Sequence, residues 1–353
     1  MTTQNQNIEE KAWAIHKESI LIDGLTYAPV LDIEEKEFGY FDELIKIGIA
    51  AGNMTVTGNN SSPLQGMKEI GIWLNVLEKH NDKLMLITTG KDIEKAKEQC
   101  KFGVIMGSQN ADLLGDSLYL LPLYKKLGLR IIQFNYCYQN LLGEGCGERT
   151  DSGLSEFGLK VVEEMNRLKL IIDVSHCGDQ TTMDIIKYSK DPVLATHANP
   201  RGIVDHIRNK SDEQIKALAE KGGVIGLVPY CVLSAKRKGV RPTFEEFIDL
   251  MDYTVKLVGI DHVGIGLDLT PFEKLELFMK WAQANPGISL WGTSGFFSSE
   301  RKHIFSDEKD GHQDVGKLIE ITKELLKRSY SDQEVKKILG LNFLKVFKQV
   351  WGE

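Results

Sequence analysis

The sequence predicts an α/β protein whose architecture is a (β/α)8 TIM barrel. Three observations point there. Eight short apolar runs alternate with longer amphipathic stretches along the 353 residues. The runs are continuous in Ile, Val and Leu rather than alternating, as parallel strands covered on both faces require. A closed barrel of this kind takes about 250 residues plus insertions, which suits the length. A doubly wound open sheet is the alternative that the same alternation allows. We read 1–353 as one barrel domain, since no repeat, low-complexity tract or linker interrupts it.

The strands are expected at 20–23, 48–56, 103–108, 130–136, 170–176, 192–197, 223–228 and 262–268. A ninth run, 84–88, reads as an extra edge strand or part of a connection. Between them, "GLSEFGLKVVEEMNRLK" places Leu154, Phe157, Val161, Met165 and Leu168 on one helical stripe. "SDEQIKALAEKGG" starts with a capping box, Ser211 with Gln214, and stops at Gly-Gly. "TFEEFIDLMDYTVKLVG" starts from Thr243 as its cap. Two irregular stretches, 143–153 ("GEGCGERTDSG") and 275–311, are expected as loops over the barrel mouth. In the first, Glu144, Glu148, Arg149 and Asp151 suggest a local ion-pair network. Cys146 there could be a thiolate ligand or nucleophile, against the default of a buried, inert cysteine.

Bulk properties exclude several classes. The net charge of −7 argues against a nucleic-acid partner, which needs a basic face. No run of 18 or more apolar residues is present, so no membrane span is expected. The polar, acidic start "MTTQNQNIEEKAW" lacks the regions of a signal peptide, and a cytoplasmic location is expected. The five cysteines (Cys100, Cys137, Cys146, Cys177 and Cys231) have irregular spacing and no CxxC, so neither a disulfide framework nor a zinc knuckle is expected.

In such a barrel the chemistry sits where strands end, because the following loops converge there. "LIIDVSHCGD" delivers Asp173, Ser175, His176 and Asp179. "PVLATHANPRG" delivers His197 and Asn199. "HVGIGLDLTPF" delivers Asp268. Further round, "IIQFNYCYQN" offers Asn135, Tyr136 and Asn140, and "GVIMGSQNAD" offers Gln109, Asn110 and Asp112. A lone histidine is more often a structural hydrogen-bonder. Two histidines closing consecutive strands, with an aspartate closing the last, make a metal-site pattern, since neutral imidazole binds Zn²⁺ and a carboxylate beside it can take a proton from water. Arg208 could grip a substrate carboxylate with its bidentate fork, or be a surface arginine near a helix start. His206 reads as structural or as a neighbour of the site. The first strand ends "LIDGLTYAPV", where Leu25 and Tyr27 occupy the positions expected of ligands and neither is a good one.

The blocks "LIIDVSHCGD", "PVLATHANPRGIVDHIRN", "HVGIGLDL" and "ILGLNFLKVF" resemble the membrane dipeptidase (renal dipeptidase, peptidase M19) family, in order and spacing, from about residue 20 to residue 347. The resemblance implies a barrel of the metal-dependent amidohydrolase type, two zinc ions in typical members, a homodimer, and hydrolysis of dipeptides, including those with a D-residue at the C-terminal side; some members act on β-lactams. By position, His176 and His197 match the two histidines of the second zinc site. Asp268 matches the aspartate that handles the proton of the attacking water, and Arg208 the arginine that holds the substrate carboxylate.

The departures are specific. The family's Asp-Gly-His-x-Asp becomes Asp23-Gly24-Leu25-Thr26-Tyr27, so both first-strand ligands are replaced. The bridging glutamate falls at Gln109, whose neutral amide is a poor bridge between two dications. The substrate-polarising histidine falls at Tyr136. The expected enzyme is therefore a hydrolase of a dipeptide or small dipeptide-like substrate with one zinc, or another divalent ion, on His176, His197 and Gln109. Asp268 is its general base, Tyr136 an oxyanion donor, and Arg208, Tyr27 and Asn135 contact substrate. The alternatives are a pathway enzyme acting on a non-peptide bond and a metal-free binding protein.

Overall fold

The computed structural model describes residues 3–26, 38–237, 240–269, 304–305 and 314–353. Tyr27 and nearly all of the stretch 275–311 lie outside the described residues. Among the described residues no helix is long and apolar enough to cross a membrane.

Among the described residues nine parallel strands form the sheet: β1 (Leu21–Thr26), β2 (Ile49–Thr55), β3 (Leu84–Leu86), β4 (Phe102–Ser108), β5 (Leu129–Gln133), β6 (Ile171–Asp173), β7 (Leu194–Ala195), β8 (Val224–Leu227) and β9 (Val263–Ile265). The order is β1-β2-β4-β5-β6-β7-β8-β9, with β3 paired to β4 off this path. Residues 102–104 of β4 pair with β3 and residues 106–108 pair with β5, so the ninth run fills the edge of β4 before β5 begins. The ring closes between its ends. Asp268 N–H donates to Leu25 C=O at 2.9 Å, and Thr26 and Leu269 form a parallel bridge. This is a (β/α)8 barrel, not the open sheet that was the alternative.

Period-two alternation divides the core into two layers. Ile22, Ala50, Ile105, Ile131, Ile171, Leu194 and Val224 share one buried cluster with Phe343 and Phe347 of the C-terminal helix, Asn342–Trp351. Their neighbours Leu21, Ile49, Val104, Ile132, Ile172, Ala195 and Ile225 belong to the other cluster, under the outer helices. The first set fills one end of the barrel and the C-terminal helix seals it. Gly24 and Gly264 make room, because a Cβ on either would come within 3 Å of the Phe343 ring.

The helices follow their local signals. Glu156–Leu168 buries Val161, Met165 and Leu168. The capping boxes of Ser211 with Gln214 and of Thr243 with Glu246 both form. The strands near the site are shorter than the apolar runs suggest. At β6 and β7 the reason is Asp173: its carboxylate accepts from the N–H and hydroxyl of both Ser175 and Thr196. A side chain there takes over the hydrogen bonds that a longer ladder would have made.

Candidate active site

His176 lies three residues past the end of β6 and His197 two past the end of β7. The Asp173 web fixes both turns, and Ser175 Oγ also accepts from His197 N–H at 3.1 Å. The imidazoles face each other with their Nε2 atoms 2.9 Å apart. Each Nδ1 has its own neighbour: Cys137 Sγ at 3.3 Å from that of His176, and Thr196 Oγ1 at 2.9 Å from that of His197. Tyr136 stacks on the His176 ring, with centroids 4.5 Å apart and planes 18° from parallel. Burial, helped by the Arg208 cation, holds both imidazoles well below the usual histidine pKa. They are therefore neutral, the form that ligates metals.

Arg208 is almost fully buried. Its Nη1 donates to Ser175 C=O and its Nη2 to His197 C=O, the latter at 2.7 Å. The guanidinium thus ties together the two turns that carry the histidines. Arg208 N–H also donates to Nδ1 of His206, whose pKa burial lowers to about 4. A second buried cation, Lys210, donates to Cys177 C=O and Thr182 Oγ1. Burial lowers its pKa to about 8. Sequence reasoning missed Lys210, because a lysine just before a helix cap reads as solvated.

Asp268 is partly buried with a left-handed φ of 51°, a conformation that costs a non-glycine residue energy. Its backbone is clamped on both sides. Its own N–H donates to Leu25 C=O, and Leu267 N–H donates to Asp23 Oδ1 at 2.7 Å. Burial raises the Asp268 carboxyl to about 7, against the pull of Arg208. Burial likewise raises Asp23 to about 7. A carboxyl near neutrality is suited to exchanging a proton.

On the other side of the mouth the polar side chains mostly brace one another. Gln109 Nε2 donates to Thr55 Oγ1 at 2.8 Å, and its carbonyl accepts from Gln133 Nε2. Asn135 gives its amide hydrogens to Asn140 Oδ1 and Gly143 C=O, leaving a buried Oδ1 with no partner among the described residues. Asn140 in turn donates to Asn110 Oδ1 and Phe134 C=O. The charged residues of 143–153 correct our expectation of an ion-pair network: among the described residues no ion pair joins them. Glu144 accepts from Gln139 and Ser152, Glu148 accepts from Gln139 N–H, and Asp151 accepts from Gln180 and Thr181 at the start of helix Asp179–Tyr188. Main-chain N–H groups take the carboxylates of Glu148 and Asp151, and the Gln139 amide and Ser152 hydroxyl take that of Glu144, where arginine could have held them. Cys146 departs from the inert default, being partly exposed.

Which metal site do these residues fit? Two nitrogens each ~2.0–2.1 Å from one ion stand roughly 2.9–3.4 Å apart at usual bond angles, so the imidazole pair fits a single ion. A two-ion centre does not fit. Leu25 is buried and apolar, Gln109 is uncharged, and no group of three or more His, Cys, Asp or Glu with metal-binding spacing occurs among the described residues.

Comparison with known proteins bears on the fold and the family. The amidohydrolase from Pseudomonas aeruginosa superposes with a TM-score of 0.82 at 33% identity, over 97% of this chain and 99% of that one. The probable dipeptidase PvdM from the same organism shares the fold at a TM-score of 0.76 and 22% identity, over 99% and 98% of the two chains. Dipeptidase tcpJ of Claviceps purpurea (strain 20.1) is 23% identical over 294 residues, 83% of this chain and 61% of that protein. Dipeptidase verJ of Clonostachys rogersoniana is 25% identical over 303 residues, 85% and 69%. The chain thus spans about two thirds of the length of these curated relatives. A model of the membrane dipeptidase family (peptidase family M19) matches residues 53–278 and 305–351. With most of its length under that match, and with the barrel and the histidine pair in place, this chain belongs to the membrane dipeptidase family.

Proposed function

We propose that the chain is a metal-dependent hydrolase that cleaves the amide bond of a dipeptide or small dipeptide-like substrate, using one divalent ion. The observation that carries this reading is the pair of neutral imidazoles facing each other at 2.9 Å. His176 and His197 would hold the ion, with the Gln109 carboxamide oxygen as third ligand; imidazole donors make zinc the default. Such an ion supplies Lewis acidity and makes water acidic near neutral pH.

The chain's own groups do the rest. Asp268, ionised above about pH 7, takes the proton of the attacking water and returns it to the leaving amine. Arg208 uses its remaining N–H groups on the substrate carboxylate while its carbonyl contacts hold the histidine turns. Tyr136, fixed by stacking on His176, supplies a phenol donor to the developing oxyanion. Asn135 Oδ1 and Tyr27 are the further substrate contacts in this reading.

Metal content of protein purified without chelator, measured beside hydrolysis of a dipeptide panel, tests it. About one ion per chain with hydrolysis is the expected result. Two ions would overturn the reading of Leu25 and Gln109. No ion, even after soaking with zinc, would favour the metal-free binding protein, which the lack of a third His, Cys, Asp or Glu among the described residues also suits.

A further inference from the structure

Three of the five thiols gather where the 143–153 loop meets the histidine turns. Gly147 N–H donates to Cys137 C=O at 2.8 Å, and Cys146 N–H donates to His176 C=O at 2.8 Å. Gly145 bridges to Cys177 in antiparallel fashion. Gly145 also lies so close to Cys137 that a Cβ on it would meet the Cys137 carbonyl carbon at 2.2 Å. Cys146 is therefore held on both flanks beside Cys137. Cys146 is partly exposed, whereas Cys137 is buried with its sulfur 3.3 Å from His176 Nδ1. Cys177 is also buried. Neither Cys137 nor Cys146 has a role in the hydrolysis described above.

We propose that Cys146 and Cys137 are a paired oxidation site for small peroxides, converting reversibly to a disulfide at the wall of the active site. Cys146, the accessible member, attacks the peroxide oxygen; the O–O bond breaks, a sulfenic acid forms and one water leaves. The Cys137 sulfur then attacks the Cys146 sulfur. The S–S bond forms, the S–O bond breaks, and the hydroxide leaves as a second water with the Cys137 proton. Two thiols lose two electrons to one peroxide. The short backbone contacts already hold the partners side by side, so little rearrangement is needed. The sulfur that touches His176 Nδ1 is then engaged in the bridge, which places the modification next to the imidazole pair without making it part of the chemistry.

The test reads the covalent bond and so stands apart from the dipeptidase reading. The full chain, reduced and freed of reductant, is treated with one equivalent of hydrogen peroxide and digested under non-reducing conditions for mass spectrometry. The expected result is a peptide pair linking Cys137 to Cys146, lighter by two hydrogens and separated again by dithiothreitol. Cys146→Ser and Cys137→Ser should each lack it, while Cys100→Ala keeps it. Oxidation of the exposed Cys100 with both site thiols still free would overturn the proposal. So would a Cys146–Cys177 bridge, or Cys146 reaching the sulfinic acid without bridging. The wild-type map decides even where a variant fails to fold.

Discussion

The two halves of the barrel mouth offer different chemistry on the same frame. After β6, β7 and β9 stand His176, His197 and Asp268, with Arg208 tying the first two turns together. At the end of β1 stands Leu25, and after β4 and β5 stand Gln109, Asn135 and Tyr136, none of them charged. At the other end of the barrel no such contrast exists: each half contributes inward aliphatic side chains to one cluster with Phe343 and Phe347. The fold therefore rests on a layer that is alike all the way round, and the chemistry on a layer that is lopsided. Asp23 shows how the two separate. It keeps its place because its carboxylate receives Leu25 N–H, Thr26 Oγ1–H and Leu267 N–H and so joins β1 to the strand that closes the ring. Leu25, two residues on, joins that strand through its backbone C=O, and its apolar side chain makes no such bond.

Removing an imidazole from the charged half should have the largest effect. His176→Ala is expected to abolish metal binding and lower kcat/KM by more than about 10⁴-fold, since one remaining imidazole cannot hold the ion. Elemental analysis and steady-state kinetics check this; retention of both ion and activity would erase the distinction between the halves. Phe343→Ala tests the symmetrical layer. It opens a cavity among strands of both halves and should cost about 3–5 kcal/mol of stability, read as a lowered urea midpoint.

The pH dependence singles out Asp268. As a base it works ionised, so kcat/KM should climb as pH rises through about 7, and Asp268→Asn should remove that limb together with about 10²–10⁴-fold of rate. Stability should move the other way for these carboxyls. Asp23 and Asp268 are raised from 3.8 to about 7 by burial, so each contributes fully below pH 4 and loses its contribution as pH rises towards 7. Urea midpoints of Asp23→Asn against the parent chain, compared at pH 5 and pH 8, should favour the variant more at the higher pH.

The smallest expected effect lies in the neutral half. Gln109→Glu should tighten the ion by about tenfold through the added charge. It should leave the stoichiometry at one, because Leu25 still offers no donor. A second ion in this variant would show that the lopsidedness rests on Gln109 alone.

What was legible in the sequence was local or periodic. The caps at Ser211 and Thr243 involve residues three apart, and the strands announce themselves by uninterrupted aliphatic runs. The histidine pair was found because both ends of adjacent strands carry the same residue type. Strand lengths near the site were overestimated at β6 and β7, because the Asp173 carboxylate replaces ladder bonds and no local pattern records that.

The barrel, its layer of aliphatic side chains, and the half of the mouth that carries imidazoles follow from residue type and spacing along single strands. Folding adds that the two Nε2 atoms meet at 2.9 Å, that Arg208 is a brace between their turns, and that Cys137 reaches His176 across 39 positions of sequence. The carboxylates of Glu148 and Asp151 receive main-chain N–H groups, and that of Glu144 receives the Gln139 and Ser152 side chains, instead of pairing with Arg149. Each of these depends on where different strands end relative to one another, a register set by closing the ring and not by any one segment.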